Sequence, residues 1–225
     1  MTARDTILTR IRDALSTPAP RPHQAPTGPR VAATEARQWL PPVPATPEAL
    51  LTRFAENAAT LKADFHAHDS EAATHATLTQ LAQQQGWKSI AHQNSPLASA
   101  AAAHLRLPAQ LITPGYDRAT LESADVGITE CDCLIAQTGS ILLTSRHGGG
   151  RALSVLPPHH LVLARKSQLV PDLPAAYEHL TTRYGTANDW PSMVTLITGP
   201  SRTGDIERIL VLGAHGPKKL TILLW

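Results

Sequence analysis

Cysteine and aromatic residues are scarce in this chain of 225 residues. Cys131 and Cys133 are the only cysteines, and phenylalanine, tyrosine and tryptophan together make up 4% of the sequence. Two thiols are too few for a disulfide framework, and a bridge between such close neighbours would be strained. With so few aromatic side chains, the core must consist mainly of leucine, isoleucine, valine and alanine.

Long apolar runs and clusters of like charge are also missing. No apolar run approaches the roughly 20 residues of a membrane helix, and charges interrupt the first residues, Met1 to Leu15, so that no secretory leader is predicted. The formal net charge is only +2, with lysine and arginine scattered along the chain, which gives no support for nucleic-acid binding. We therefore predict a cytoplasmic protein that neither spans a membrane nor binds nucleic acid.

The front of the chain is predicted to be an arm. Ile7, Leu8, Ile11 and Leu15 recur at helical spacing and indicate an amphipathic helix over residues 3–16. Proline is frequent from there to position 47 and favours an extended tether. This pattern divides the chain into an arm, 1–45, and a body, 46–225, with the helix expected to dock on the body or on a partner.

The first half of the body alternates predicted helices with short strands. An apolar stripe from Leu50 to Phe65 predicts a helix that begins after Thr46-Pro47, and the region of His66 and His68 is assigned to helix as well. A second helix is predicted from about residue 70 to 85, ending at Gly86. Further predictions are strands at 88–92 and 109–113, and a helix at 96–104.

The second half is rich in strands. Apolar runs predict strands at 125–129, 133–136, 140–144, 152–156, 160–164, 193–198 and 220–224, with a helix at 173–183. The continuous apolar run at 194–197 is typical of a strand that is buried on both faces. The alternation predicts an α/β fold with an open, mainly parallel sheet, and hairpin material around 133–156.

Two glycine-containing segments are candidates for an anion site. Ala-Gln-Thr-Gly-Ser at 136–140 lies between two strands, where backbone N–H groups and hydroxyls could converge on an anion. Arg-His-Gly-Gly-Gly-Arg at 146–151 places an arginine at each end of a loop without side chains. An ordinary hairpin turn and a flexible loop are the alternatives. His159 or His160, shortly afterwards, could be a polar site residue or a structural one.

Two later segments complete the set of candidates. Gly-Pro-Ser-Arg-Thr-Gly-Asp at 199–205 follows an apolar strand, and a helix is predicted to start near Asp205. Because ligands of open α/β sheets bind beyond the carboxyl ends of strands, we expect this loop there. It lacks the Gly-Lys-Ser/Thr ending of a Walker loop. His215, between two glycines, could act as an acid or base, or lie in a surface turn.

The two cysteines do not predict a metal centre. As residues i and i+2 of a strand, Cys131 and Cys133 would share one face, but structural zinc and iron–sulfur clusters need four ligands. Buried thiols are the favoured interpretation, and no metal and no cofactor is predicted.

In their order and spacing, the segments at 126–140, 150–160 and 197–217 resemble the lactate utilisation protein C family, that is, the LUD domain. The resemblance is clearest over about 110–225. It implies a fold similar to the NagB/RpiA/CoA-transferase group and a role in bacterial L-lactate catabolism beside iron–sulfur partner proteins. Two cysteines cannot hold such clusters, which fits the non-iron–sulfur member of a three-component system. Where the family pattern commonly carries a carboxylate before Thr-Gly, this chain has Gln137, an amide that cannot ionise but can orient a ligand.

The leading hypothesis is a protein of lactate catabolism that binds a small anionic ligand or a partner subunit. Its predicted ligand-binding residues are Gln137, Thr138, Gly139, Ser140, Arg151, His160, Ser201, Arg202, Thr203, Asp205 and His215. An alternative is an isomerase or cyclo-ligase-like enzyme acting on a phosphorylated small molecule, with Glu130, Asp205 and His215 as candidate acids or bases. A third hypothesis is an assembly factor whose first helix grips the iron–sulfur partner.

Overall fold

The computed structural model describes residues 2–16, 37–38, 40–147, 151–186, 189–203 and 211–225. The chain divides into two units, Met1–Leu40 and Pro41–Trp225. In the first unit, helix α1 (Ala3–Ser16) confirms the predicted helix. Its apolar side chains are exposed, Leu15 by 79% and Ile7 by 57%. The predicted tether lies mostly outside the described residues.

The second unit contains the remaining elements. The helices are α2 (Pro47–Thr60), α3 (Glu71–Gln85), α4 (Pro96–Leu105), α5 (Arg118–Glu122) and α6 (Leu173–Tyr184). The strands are β1 (Asp64–Ala67), β2 (Ile90–Gln93), β3 (Ala109–Ile112), β4 (Val126–Glu130), β5 (Cys133–Ile135), β6 (Ser140–Thr144), β7 (His159–Ala164), β8 (Leu169–Val170), β9 (Val194–Ile197), β10 (Arg202–Thr203), β11 (Val211–Leu212) and β12 (Lys219–Leu224).

The central sheet has six strands in the order β1-β12-β7-β4-β2-β3, all parallel. The predicted α/β fold with an open, mainly parallel sheet is therefore confirmed. From β2 the chain moves outwards to β3, and it then returns past β2 to form β4. The strand order thus reverses between β2 and β4, and this is the switch point of the sheet.

A second sheet covers part of one face, with four strands in the order β8-β5-β6-β9. Strands β5 and β6 form the predicted antiparallel hairpin. The prediction that residues 194–197 are buried on both faces is wrong, because none of the four residues is fully buried, and β9 is an edge strand that pairs only with β6 among the described strands. Its Leu196 is 40% exposed. Strands β10 and β11 form a separate antiparallel pair.

Helices and sheets stack in layers. Leu78 of α3 and Leu97 of α4 pack on one face of the central sheet. Phe54 of α2 packs on the other face together with the β5–β6 hairpin. The outer face of that hairpin is covered by α6, through residues such as Leu180. Most apolar side chains of the two sheets are therefore shielded from water.

Local capping explains why several predicted boundaries are confirmed. The Thr46 hydroxyl accepts a hydrogen bond from the Ala49 N–H (3.3 Å), and Pro47 occupies the first turn of α2. Ser70 caps α3 in the same way, and Gly86 ends that helix in the left-handed conformation.

The helix predicted after Thr46-Pro47 is too long. Helix α2 ends at Thr60, and the chain turns through Lys62, whose φ is +65°, into β1. Phe65, His66 and His68 are therefore not helical. Phe65 still packs on Phe54, with ring centroids 5.0 Å apart, so the apolar stripe correctly indicated burial but not conformation.

Two further predictions are wrong. The segment 152–156 contains a 3₁₀ turn (Ala152–Ser154) instead of a strand, and Leu153 from this turn packs against Ala91. Cys131 and Cys133 do not share a face: the chain passes from the central sheet to the second sheet between them, so they belong to different apolar clusters. Both thiols are free and buried, as predicted.

Candidate functional site

The Thr-Gly-Ser turn that follows β5 packs on helix α2. The side-chain amide of Asn57 donates to the carbonyls of Ala136 (2.8 Å) and Gln137 (3.0 Å). Gly139 has φ +66°, and a Cβ there would lie 2.8 Å from the Cβ of Asn57. The glycine is therefore required for close packing of the turn on the helix.

Two backbone donors of this turn are already used. The N–H of Gln137 donates to the Pro171 carbonyl, and the N–H of Gly139 donates to the Ile135 carbonyl, both at 2.9 Å. The Gln137 amide nitrogen donates to the Pro41 carbonyl at 3.0 Å. Gln137 Oε1 and Thr138 Oγ1 are buried and have no hydrogen-bond partner among the described residues. These two side-chain oxygens are therefore polar atoms of the turn that could still contact a ligand.

The predicted segments that follow β9 and β11 join this turn. The Ser140 and Thr198 hydroxyls are 2.8 Å apart, the Ser201 N–H donates to the Pro217 carbonyl (2.9 Å), and the Gly213 N–H donates to the Ser201 carbonyl (3.0 Å). We call residues 137–140, 198–203 and 213–217 the signature cluster. The structure thus brings together three of the four predicted segments.

The signature cluster lies at the amino ends of the central strands, so the expectation that the loop 199–203 lies at their carboxyl ends is wrong. The segment 213–217 leads into the amino end of β12, and the Lys218 N–H donates to the Pro158 carbonyl just before β7 (2.8 Å). The physical reason is that β9 belongs to the second sheet and pairs antiparallel with β6. Arg202 and His215 of the cluster are exposed.

The other predicted site residues lie elsewhere. Arg151 lines a surface depression with Tyr116 and Arg118. His160 is 1% exposed on β7, and its Nε2 lies 2.8 Å from the Thr129 hydroxyl. Burial, followed by the neighbouring charge of His159, lowers the pKa of His160 to about 3. Asp205, with the helix predicted there, and glycines 148–150 lie outside the described residues.

A cavity of about 270 Å³ opens at the switch point, between the carboxyl ends of β2 and β4. We call it the switch-point pocket. Its lining residues come from the two strand ends, from the start of α4 and from the end of α6: Gln93, Asn94, Ser95, Pro96, Glu130, Cys131, Asp132 and Arg183. This is the usual location of a ligand in an open α/β sheet.

A polar network supports one wall of this pocket. Asp132 is 4% exposed, and its carboxylate accepts hydrogen bonds from the Tyr184 hydroxyl (2.6 Å) and the Thr144 N–H (3.0 Å). Arg183 Nη1 lies 3.7 Å from the same carboxylate. Burial, and then the hydrogen bond to Asp132, raise the pKa of the Tyr184 hydroxyl. The buried carboxylate is therefore held in place by neutral donors and by one guanidinium group.

Sequence analysis missed most of this pocket. Glu130 was a candidate acid or base in the enzyme alternative, but Gln93 and Arg183 were not candidates. The available signal was positional, since Gln93 and Glu130 end strands that are neighbours in a parallel sheet. Arg183, at the end of a helix, had no distinguishing signal.

Neither site offers a metal centre within the described part of the chain, where no three His, Cys, Asp or Glu residues converge. Nor does any helix of that part have the length and apolar character to cross a membrane.

The fold and its pocket define the class of protein, which is an open α/β protein with a cavity at the switch point of its parallel sheet. Residues 51–225 match the LUD domain, and the chain belongs to this family. The resemblance inferred from the sequence is thereby confirmed.

Curated relatives are similar over part of the chain. Lactate utilization protein C of Macrococcus caseolyticus is 38% identical over 103 residues, which is 46% of this chain and 45% of that protein. The protein of the same name from Shouchella clausii is 42% identical over 98 residues, or 44% and 42% of the two chains. The similarity thus spans less than half the length of these relatives.

A solved structure has the same fold. The DUF162 family protein from Deinococcus radiodurans superposes with a TM-score of 0.61 and 21% identity, covering 80% of this chain and 99% of that one. This similarity supports the fold alone.

Proposed function

We propose that this protein takes part in lactate utilisation as the member of a three-component system that carries no iron–sulfur cluster. The relatives named lactate utilization protein C support the process. The geometric observation that carries the proposal is the signature cluster, in which three distant segments are joined by hydrogen bonds. Three segments that are joined in this way are suited to contact one ligand or one partner subunit together.

The signature cluster is the proposed contact for a small anionic ligand or for a partner subunit. Arg202 and His215 are exposed there and provide cationic or donor groups, and the Thr138 hydroxyl adds a polar atom without a partner in the described chain. Asp205 remains part of the prediction. Arg151 and His160 belong to other parts of the structure, so they form no part of this contact.

Growth on lactate tests the proposed process. We expect that deleting the gene, in a strain without a second copy, abolishes growth on L-lactate as sole carbon source but leaves growth on pyruvate normal. Wild-type protein should restore growth, whereas the double variant Arg202→Ala/His215→Ala should restore it at a severalfold lower rate. Arg118→Ala changes an exposed arginine outside the cluster and is the matched control. Normal growth of the deletion strain on L-lactate contradicts the proposal.

Association with iron–sulfur partners is tested through helix α1. Its exposed apolar side chains, at Ile7, Ile11 and Leu15, are of the kind that pack into a groove on another protein. We expect that changing all three to serine reduces co-purification with the proposed iron–sulfur partner proteins by at least severalfold. Changing the exposed Arg4 and Arg12 to serine is the control for this helix. Unchanged recovery with the apolar variant excludes α1 from the interface.

A further inference from the structure

One side-chain amide that lines the switch-point pocket has a donor without an acceptor among the described residues. Gln93 is only 4% exposed, and its Oε1 accepts a hydrogen bond from the Glu130 N–H at 2.6 Å. This bond fixes which end of the amide is the oxygen, so the nitrogen must point the other way. Gln93 Nε2 donates to no residue in the described ranges, and it is therefore available to a ligand in the pocket.

Ser95 and Pro96, at the start of α4, also line the pocket. Pro96 has no N–H, the Ala98 N–H donates to the Ser95 hydroxyl (3.3 Å), and the Ser99 N–H donates to the Ser95 carbonyl (3.0 Å). Of the first-turn amides, the Leu97 N–H therefore has no acceptor within the chain as described. The positive end of a helix dipole favours an acceptor with negative charge.

Glu130, in contrast, supplies a hydrogen-bond acceptor to the pocket. Its carboxylate forms no hydrogen bond or ion pair with any described residue, whereas the carboxylate of Asp132 already accepts bonds from Tyr184 and Thr144. An ionised carboxylate accepts hydrogen bonds and does not donate them. The Glu130 side chain is therefore suited to a hydroxyl or an ammonium group on a ligand.

From these observations we propose that the switch-point pocket binds a small carboxylate with a hydroxyl or ammonium group on the neighbouring carbon. The ligand carboxylate accepts from Gln93 Nε2 and the start of α4, near Arg183, while its hydroxyl or ammonium group donates to Glu130. Because Gln93 and Glu130 end adjacent strands, the acceptor and the donor must lie close together in the ligand. A cavity of about 270 Å³ suits such a small molecule.

This site is separate from the signature cluster. It lies at the carboxyl ends of the central strands, and the cluster lies at their amino ends, so binding here does not depend on the proposed contact at the cluster. An experiment with purified protein therefore separates the two: the growth test can fail while the binding test succeeds, and the reverse.

The experiment compares three ligands of one size by calorimetry on the full chain. L-Lactate carries the hydroxyl, L-alanine carries the ammonium group, and propionate carries neither. We expect lactate or alanine to bind at least about tenfold more tightly than propionate, a ratio that corresponds to one charged hydrogen bond. Whichever of lactate and alanine binds more tightly shows whether a hydroxyl or an ammonium group donates to Glu130.

Two isosteric variants locate the site. Gln93→Glu keeps the acceptor for the Glu130 N–H but replaces the donor by an oxygen, so the affinity for all three carboxylates should fall at least about tenfold. Glu130→Gln removes the charge and should bring the preferred ligand close to the affinity of propionate. Gln84→Glu and Glu56→Gln make the same changes at exposed helical positions and should leave affinities unchanged.

Three results would overturn the proposal. The first is that no ligand binds to the wild type with a Kd below about 10 mM. The second is equal affinity for the three ligands. The third is unchanged binding in both Gln93→Glu and Glu130→Gln. Circular dichroism verifies that each variant is folded, and Glu130→Gln tests the site by itself if Gln93→Glu does not fold.

Discussion

Replacing Gly139 with alanine is expected to lower the free energy of unfolding by roughly 3 kcal/mol. Two costs contribute. The residue has φ +66°, a conformation that disfavours a Cβ, and the new methyl group would lie 2.8 Å from the Cβ of Asn57 and 3.0 Å from the backbone nitrogen of Ala58. Because Ala58 is fully buried in the core, helix α2 cannot move aside without loss of packing. Urea unfolding followed by circular dichroism measures the change.

Gly86 offers a matched control for this prediction. Its φ is also +66°, but a Cβ there would meet no atom within 4 Å. Gly86→Ala should therefore cost only about 1 kcal/mol, the price of the left-handed conformation alone. The difference between the two variants isolates the contact with α2. Equal losses at both positions would show that the contact with Asn57 and Ala58 costs nothing.

This result would bear on the meaning of the Thr-Gly-Ser motif. The glycine predicted as part of an anion cradle is explained by its contact with α2, and Asn57 holds the two preceding carbonyls. A motif can thus be required by packing while neighbouring side chains remain available for a ligand. Thr138, whose hydroxyl has no partner in the described chain, is the residue of this motif that remains available for a ligand, whereas Gly139 is required for packing.

Sequence reasoning predicted the local features well because their causes are local. Thr46 with Pro47, and Ser70 with Gly86, specify helix ends through their own hydrogen bonds and dihedral angles. Apolar runs also predicted most central strands correctly, because a parallel sheet covered on both faces needs continuous apolar residues.

Features that depend on distant contacts were not predictable in the same way. The run 194–197 is as apolar as a central strand, yet β9 is an edge strand, and only the partner strands decide that. Phe65 continues the apolar spacing of α2 but lies in β1, because burial against Phe54 is possible from a strand as well as from a helix. Periodicity reports burial more reliably than conformation in such short segments.

The residues that form the switch-point pocket could not be predicted from the sequence for the same reason. Glu130 was a candidate from its chemistry, but its pairing with Gln93 exists only because the chain returns from β3 past β2 to form β4. Strand order is a property of the whole fold and cannot be inferred from spacing along the chain. The residues of the signature cluster, in contrast, were identifiable as motifs although their position relative to the sheet was not.

Acid should destabilise the protein through two adjacent buried histidines. Burial, and then the charge of Lys219, lower the pKa of His159 to about 4, although the nearby Asp64 opposes this shift. Burial and the charge of His159 lower the pKa of His160 to about 3. In the unfolded chain both side chains take up a proton near pH 6.5. Below that pH the unfolded state therefore binds more protons than the folded state.

The sign of the effect follows from this difference in proton uptake. Stability is fully present above about pH 6.5 and is lost as the pH falls, by about 1.4 kcal/mol per pH unit for each histidine. The loss should continue to about pH 4 for His159 and to about pH 3 for His160. Two histidines together would thus remove several kcal/mol, a large part of the stability of a typical domain.

Variants distinguish these histidines from carboxylates that titrate in the same range. We expect the dependence of the unfolding free energy on pH, measured in urea between pH 7 and pH 5, to become less steep by up to one proton in His159→Gln or His160→Gln, and by up to two in the double variant. His215→Gln, which removes an exposed histidine, is the control variant. If the double variant has the slope of the wild type, the two buried side chains are not the acid-sensitive groups, and their protonated rings must donate hydrogen bonds to the Thr221 and Thr129 hydroxyls in the folded state.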